Sequence, residues 1–359
     1  MLNLNQIIIK TFGLKSDEVS KFLLLFFHSF FIGLSIAFYF VQANSVFIET
    51  YGSEQLPYAY LLAGLTGYII SSVYSYYQQK IKSKYLFASA LIFMLVITLF
   101  GRVALGFIDQ KYLSFFVFIW AWPFISLAGI ESGGLAIRLL NLVQVKRLFG
   151  MINMGGVIAS ILGYLFIPVL TKVIGSSYNL LFFPVGGFLA ATFILFYIYK
   201  KFPEEKKVEK VSKVQSKTTF RHLIKDKYFR LIFISATLSM TVIYLTDFGF
   251  LSAIKVQEKS LFSEPGSVAA FMALVFAGLK GGELLISYFS SRILVKYGVK
   301  LGLIVLPLSI SLIILVSLFI GFTAGAVSMV FLILMTLNKS MERIIRRGLD
   351  DPAFNILYQ

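Results

Sequence analysis

A handful of ionisable residues sit inside or beside long apolar runs, and their types limit the chemistry open to this chain. Lys280 and Glu283 lie three residues apart, among Gly278, Gly281 and Gly282. A charge at the centre of a hydrocarbon layer costs roughly 2.5–3.5 kcal/mol on insertion scales, so each needs a partner or a ligand. Two arrangements answer that need: an i,i+3 pair that neutralises itself against a neighbouring helix, or a cation facing a cavity and holding an anion. Asp247, beside Tyr244 and Thr246, can pair with Lys280 across a helix bundle or serve as a proton or solute site. Glu131 follows Trp120, Trp122 and Pro123 and precedes Gly133, Gly134 and Arg138; it reads as a cavity-lining carboxylate or as a structural partner for Arg138 or Arg147. Lys339 and Arg346 follow the last apolar run, where they would stand at a cavity mouth and suit anionic oxygens through charge-assisted hydrogen bonds. Arg102 is expected to extend its long side chain to the headgroups. His28 reads as a packed histidine, and Gln42 and Asn44 either touch a solute or cap their own helix.

Several classes are excluded by what accompanies these residues. The chain has no cysteine, so thiolate catalysis, disulfides and cysteine-bound zinc are out. Its two histidines, His28 and His222, are too far apart in sequence to suggest a metal cluster. The glycines between residues 150 and 163 lack the Gly-Lys-Ser/Thr ending of a phosphate loop and read as close helix packing. No catalytic constellation or cofactor motif emerges, and the chain is not expected to be an enzyme.

The elements that must position these groups follow from composition. Of 359 residues, 58% are hydrophobic and only 14% charged, against about one quarter charged in soluble domains. So much Phe, Leu and Ile is at home in lipid, and a span needs about 20 apolar residues. Ten runs qualify, near 22–47, 57–79, 84–108, 112–137, 148–171, 178–199, 229–254, 267–290, 299–320 and 322–338. The first is too long for a signal-peptide core and is read as an uncleaved span. The expected fold class is an all-α polytopic membrane protein.

Charge then sets the topology. One side of the ten-span layout receives 27 of the 33 basic residues, including Lys80, Lys82, Lys84, Arg138, Lys146, Arg147 and eleven between residues 200 and 230. The other side receives Lys111, Lys172, Lys255 and Lys259. Membrane proteins concentrate Lys and Arg in cytoplasmic loops, so the amino terminus, the 200–230 loop and residue 359 are expected in the cytoplasm, with a bacterial inner membrane as the setting. A net charge of +16 is thereby accounted for without nucleic acid. The loop divides the chain into a six-span half at 1–199 and a second half at 231–359, and its later part, 219–230, has the spacing of an interfacial amphipathic helix. A repeat supports the halves: Ser75-Tyr76-Tyr77-Gln78-Gln79-Lys80-Ile81-Lys82-Ser83-Lys84-Tyr85 is echoed by Ser287-Tyr288-Phe289-Ser290-Ser291-Arg292-Ile293-Leu294-Val295-Lys296-Tyr297. Both stand after the second span of their half, as in transporters built from parallel repeats.

This layout resembles the major facilitator superfamily, with two six-helix halves of which ten spans are present and the last two are missing. At the carboxy end, Asp351-Pro352-Ala353-Phe354-Asn355-Ile356-Leu357-Tyr358-Gln359 resembles the Asp-Pro-Thr-Lys-Glu-Met-Ala-Tyr-Ile stretch of the Tlc-type ATP:ADP antiporter family. Lys146-Arg147-Leu148-Phe149-Gly150, Thr246-Asp247-Phe248 and Val295-Lys296-Tyr297-Gly298-Val299 are similar to other pieces of the nucleotide-transporter branch. Phe354-Asn355 replaces the family's Lys-Glu, which argues against strict ATP/ADP exchange. The resemblance implies a secondary transporter of an anionic solute, plausibly a nucleotide, with Lys280, Glu283, Asp247, Glu131, Lys339 and Arg346 as candidate binding residues. The alternatives are a transporter-like sensor or anchor for a soluble domain beyond residue 359, and a proton-coupled exporter using Asp247 and Glu131.

Overall fold

A computed structural model describes residues 14–174, 177–203, 227–324 and 328–350. Among the described residues the regular structure is helical: α1 Val19–Tyr51, α2 Leu56–Gln78, α3 Ser83–Val103 continued by a 3₁₀ turn Ala104–Gly106, α4 Gln110–Leu139, α5 Leu142–Ile174, α6 Phe182–Lys201, α7 Lys227–Leu261, α8 Ser267–Ala324 and α9 Met329–Ile345. A single residue breaks α8. Gly298 has φ 82° and ψ 162°, a backbone shape side chains disfavour, and it separates two arms at 267–297 and 299–324. The second copy of the sequence repeat ends at this break, whereas the first spans the turn between α2 and α3 and ends in the first turn of α3.

Among the described residues nine segments are long and apolar enough to cross a membrane: α1 to α6, Thr237–Leu261 in α7, and Ser267–Ser287 and Ile304–Thr323 in the two arms of α8. Their outer surfaces are apolar. Leu308, Leu312, Leu315 and Phe319 recur at helical spacing on one exposed stripe of α8, as do Leu61, Leu65, Tyr68 and Ile69 on α2. Stripes of this kind would be placed inward in a water-soluble bundle; here they face the hydrocarbon.

The tenth expected run does not coincide with the helix that forms. The run at 322–338 is replaced by α9, Met329–Ile345, a 17-residue helix that carries Lys339, Glu342 and Arg343 within it. The proposed interfacial helix at 219–230 lies outside the described residues except for its last four positions, which belong to α7. The stretch from Asp351 to Gln359 also lies outside them.

Small residues draw α1 against α5 and α6. A Cβ on Gly33 would stand 2.2 Å from the carbonyl oxygen of Gly156, and one on Gly155 would stand 2.5 Å from that of Phe26. Gly187 of α6 meets Ser35 in the same manner. Where lipid supplies no hydrophobic push between helices, close backbone approach is the means of packing.

The basic end of this bundle is held by a polar clasp. Asn141 and Gln144 cap one another at the start of α5, each side chain accepting the other's backbone N–H, at 2.8 and 3.1 Å. Gln144 also donates to Glu18 at 3.1 Å, Arg147 donates to both Glu18 oxygens, and the Lys15 N–H reaches the same carboxylate at 3.0 Å. Burial pushes the Glu18 carboxyl up, but the Lys15 amide, Gln144 and Arg147 outweigh it and hold it below the usual carboxylate range. The folded state thus prefers the charged form. That contribution is complete above the range in which a free glutamate titrates and is lost as acid protonates Glu18. On acidification through and below about pH 4, the wild-type melting temperature is expected to fall more steeply than that of Glu18→Gln; parallel curves would refute this.

Candidate functional site

Three helices, α7, α8 and α9, bring their charges together on the side that faces the first six. Lys339 of α9 lies 2.7 Å from Asp247 of α7, with both side chains almost wholly buried, and 3.6 Å from Glu342. Glu342 in turn lies 3.0 Å from Arg346. Beside this group, Lys280 donates to Glu283 at 2.6 Å, and Glu283 lies 3.3 Å from Arg343. Four cations and three carboxylates therefore share one buried region.

The sequence places them there through α9. Lys339, Glu342, Arg343 and Arg346 recur at i, i+3, i+4 and i+7, which puts them on one face of the helix. Ser328 caps that helix by accepting the Phe331 N–H at 3.3 Å. In α8, Gly282 allows α9 to approach, since a Cβ there would stand 2.4 Å from Ile344.

An aromatic wall from the first six helices closes the other side. Tyr60 of α2 donates to Asp247 at 3.2 Å, and its ring packs 5.0 Å from Tyr244. Trp122 of α4 lies between Tyr244 and Phe40, at 5.9 and 5.5 Å. Arg343 sits over Phe40 of α1 at 5.7 Å and over Phe276 of α8 at 5.8 Å, cation–π contacts across the two groups of helices. Tyr164 of α5 meets Phe276 at 5.7 Å. Farther toward the less basic end, Lys255 of α7 donates to the Glu49 carbonyl of α1 at 3.1 Å, pairs with Glu258 at 2.5 Å and packs on Gly52. These contacts close the helices upon one another at the end opposite the basic loops.

Several buried polar atoms have no hydrogen-bond partner among the described residues: both amide atoms of Gln42, Nε1 of Trp122 and Oδ1 of Asn338. Leaving such a group unpaired costs about 1–3 kcal/mol, so groups of this kind mark a surface suited to a polar ligand. They lie on α1, α4 and α9.

The candidate residues divide accordingly. Lys280, Glu283, Asp247, Lys339 and Arg346 converge, and Glu131 does not. Asp247 pairs with Lys339, correcting the expected pairing with Lys280, which takes the i,i+3 partner Glu283 instead. Lys339 is buried in the network and does not stand at an open mouth, because α9 runs seven residues beyond the apolar run. Glu131 pairs with His28 at 3.1 Å, correcting the expectation of Arg138 or Arg147. Arg147 is engaged by Glu18, and Arg102 donates to Asn179 at 2.7 Å and covers the Phe182 ring instead of reaching freely to headgroups. Asn44 bonds its own helix at the Phe40 carbonyl. Glu342, Arg343, Tyr60 and Asn338 were missed; the polar stripe on α9 was the available signal for three of them.

No protein-family model matches this chain, and no curated protein sequence matches it. Its backbone is similar to two crystal structures of the nucleoside transporter NupG. One is a mutant form, at TM-score 0.67, and the other has a TM-score of 0.63. Each is 14% identical and covers 94% of this chain and 82% of the other. Neither neighbour is described as an ATP:ADP antiporter, so the likeness lends no support to that branch. These neighbours are transporters and not enzymes. What so distant a likeness establishes is the fold: this chain is an all-helical membrane protein of major-facilitator architecture.

Proposed function

We propose that this chain is a secondary transporter of a nucleoside-like solute bearing an anionic group, with a nucleotide as the leading candidate. The observation that carries the reading is the buried network on α7, α8 and α9, in which four cations face three carboxylates beside an aromatic wall. Rings such as Tyr244, Trp122 and Phe40 suit a planar base. The unpaired Gln42, Trp122 and Asn338 groups suit its polar edges and a sugar. The lysine and arginine groups of the network suit phosphate oxygens. NupG is described as a nucleoside transporter, which agrees with the nucleoside part of this reading and is silent on charge.

The proposed cycle is alternating access, with helices of 1–199 rocking against those of 231–359 about the network. In the conformation described, Lys255 of α7 joins α1 at Glu49 and Gly52 at the less basic end. By the distribution of basic loops, we place the opposite end at the cytoplasm of a bacterial inner membrane.

Uptake by proteoliposomes tests the reading. Labelled UMP should accumulate with wild-type protein, and Lys280→Ala should reduce its uptake at least tenfold, the equivalent of about 1.4 kcal/mol. Glu283 retains Arg343 in that variant, so its fold should persist. If uridine enters and UMP does not, the anionic part is wrong and the nucleoside part stands. Entry of neither would refute the reading.

A further inference from the structure

His28 and Glu131 form a buried ionisable pair within the first six helices, apart from the network on α7, α8 and α9. Their side chains are 1% and 0% exposed. Nε2 of His28 lies 3.1 Å from both carboxylate oxygens of Glu131, and Nδ1 lies 3.1 Å from the carbonyl oxygen of Ala191 on α6. Both ring nitrogens thus face acceptors. A neutral imidazole has one N–H to donate. With that hydrogen on Nε2, the Nδ1 lone pair opposes a carbonyl; with it on Nδ1, the Nε2 lone pair opposes a carboxylate.

The geometry is satisfied when the dyad holds two protons. These make either an imidazolium beside a carboxylate or an Nδ1–H imidazole beside a carboxylic acid. Both forms are neutral overall. Withdrawing one proton leaves opposed lone pairs and a net negative charge in a place sealed from water, a strongly disfavoured state.

The surroundings bear on where that proton goes. From α2 the titratable group near the dyad is Tyr74, close enough to feel the charge of both Glu131 and Arg138. Arg138 lies on α4 itself, two turns nearer its basic end. From α5 come Gly155 and Gly156, against Phe26 and Ser29, which add no charge. From α6 comes the Ala191 carbonyl. Tyr74 and Arg138 are thus the titratable and charged groups on the basic side of the dyad.

We infer that His28 and Glu131 form a proton-binding site of the first six helices, loaded in the conformation described. It discharges when α1, α4 and α6 part enough to admit water. The proton then passes to water, leaving a neutral imidazole and a carboxylate, and one proton moves with each solute. The coupling rests on the transport reading above; the existence of the site does not.

Two measurements separate these. The chain has two histidines, so ¹⁵N-histidine labelling of the His222→Gln protein in nanodiscs isolates the His28 ring. At about pH 8 both ring nitrogens should carry or share a proton. Glu131→Gln offers an N–H in place of the shared proton, so it should fold normally while His28 becomes a neutral ring with a single N–H. A single-N–H ring beside an ionised Glu131 carboxylate in the wild type, the carboxyl read by ¹³C-glutamate labelling against the Glu131→Gln protein, would overturn the site. In proteoliposomes loaded with a pH dye, entry of UMP or uridine should move protons with wild type and at least tenfold fewer per solute with Glu131→Gln. Equal proton movement would overturn the coupling. If neither probe enters, the transport reading fails and the ring and carboxyl resonances alone decide the site.

Discussion

Lys339→Met is expected to abolish accumulation of the folded protein, as is Asp247→Leu, while the two together restore it. The reason is the depth of the pair: Nζ and Oδ1 are 2.7 Å apart with side chains 1% and 2% exposed. Ions so placed have given up their water, and each depends on the other. Removing Lys339 strands Asp247 and takes a cation from Glu342 as well. Breaking a buried pair on one side costs about 3–5 kcal/mol, a large part of a stability that is typically 5–15 kcal/mol. Removing both charges for apolar groups of similar size is close to neutral or better, and Glu342 keeps Arg346 at 3.0 Å. Yield and thermal melting by fluorescence-detected gel filtration would show the pattern. Single variants as stable as wild type, or a double variant no better than the singles, would refute it.

Gly33→Ala is expected to lower the melting temperature sharply, while Gly64→Ala leaves it unchanged or raises it. The added methyl at Gly33 would stand 2.2 Å from the Gly156 oxygen and 2.5 Å from its Cα, so main chain meets main chain and no side chain can yield. Overpacking costs typically 1–3 kcal/mol and occasionally more, and an obstruction by backbone belongs at or above the top of that range. At Gly64 nothing lies within 4 Å, and alanine gains about 1 kcal/mol of helix propensity over glycine. Gly282→Ala should fall between, because what it meets at 2.4 Å is the movable end of Ile344. Equal melting of the Gly33 and Gly64 variants would contradict this account.

Hydropathy carried most of the helical layout, because a lipid-exposed helix must be apolar along its whole length. The same logic failed at α9. A window that seeks apolar residues settles on 322–338, whereas the helix that forms is Met329–Ile345, its polar face turned into the protein. Averaging along the chain hides a stripe around a helix. That one displacement moved Lys339 from an apparent rim position to the most buried cation of the network and left Lys280 as the one partner considered for Asp247. Pairings such as His28 with Glu131 and Arg102 with Asn179 join residues 103 and 77 positions apart. They depend on how helices are rotated and at what depth they cross, which neither hydropathy nor charge encodes.

The contact of Gly33 with Gly156 has a mechanical meaning as well. Two rods in backbone contact near mid-length, with no yielding side chains between them, cannot slide past one another without first separating. Phe40 on α1 and Tyr164 on α5 are thereby held on one unit, and both rings bear on Phe276 across the interface. Force entering at either ring turns a stiff plate, and compliance is left to the short connections at the helix ends, among them Gly52 with its φ of 73°. A solute gripped by the aromatic wall would then act on the whole plate at once, in the manner of a lever with two handles and one fulcrum.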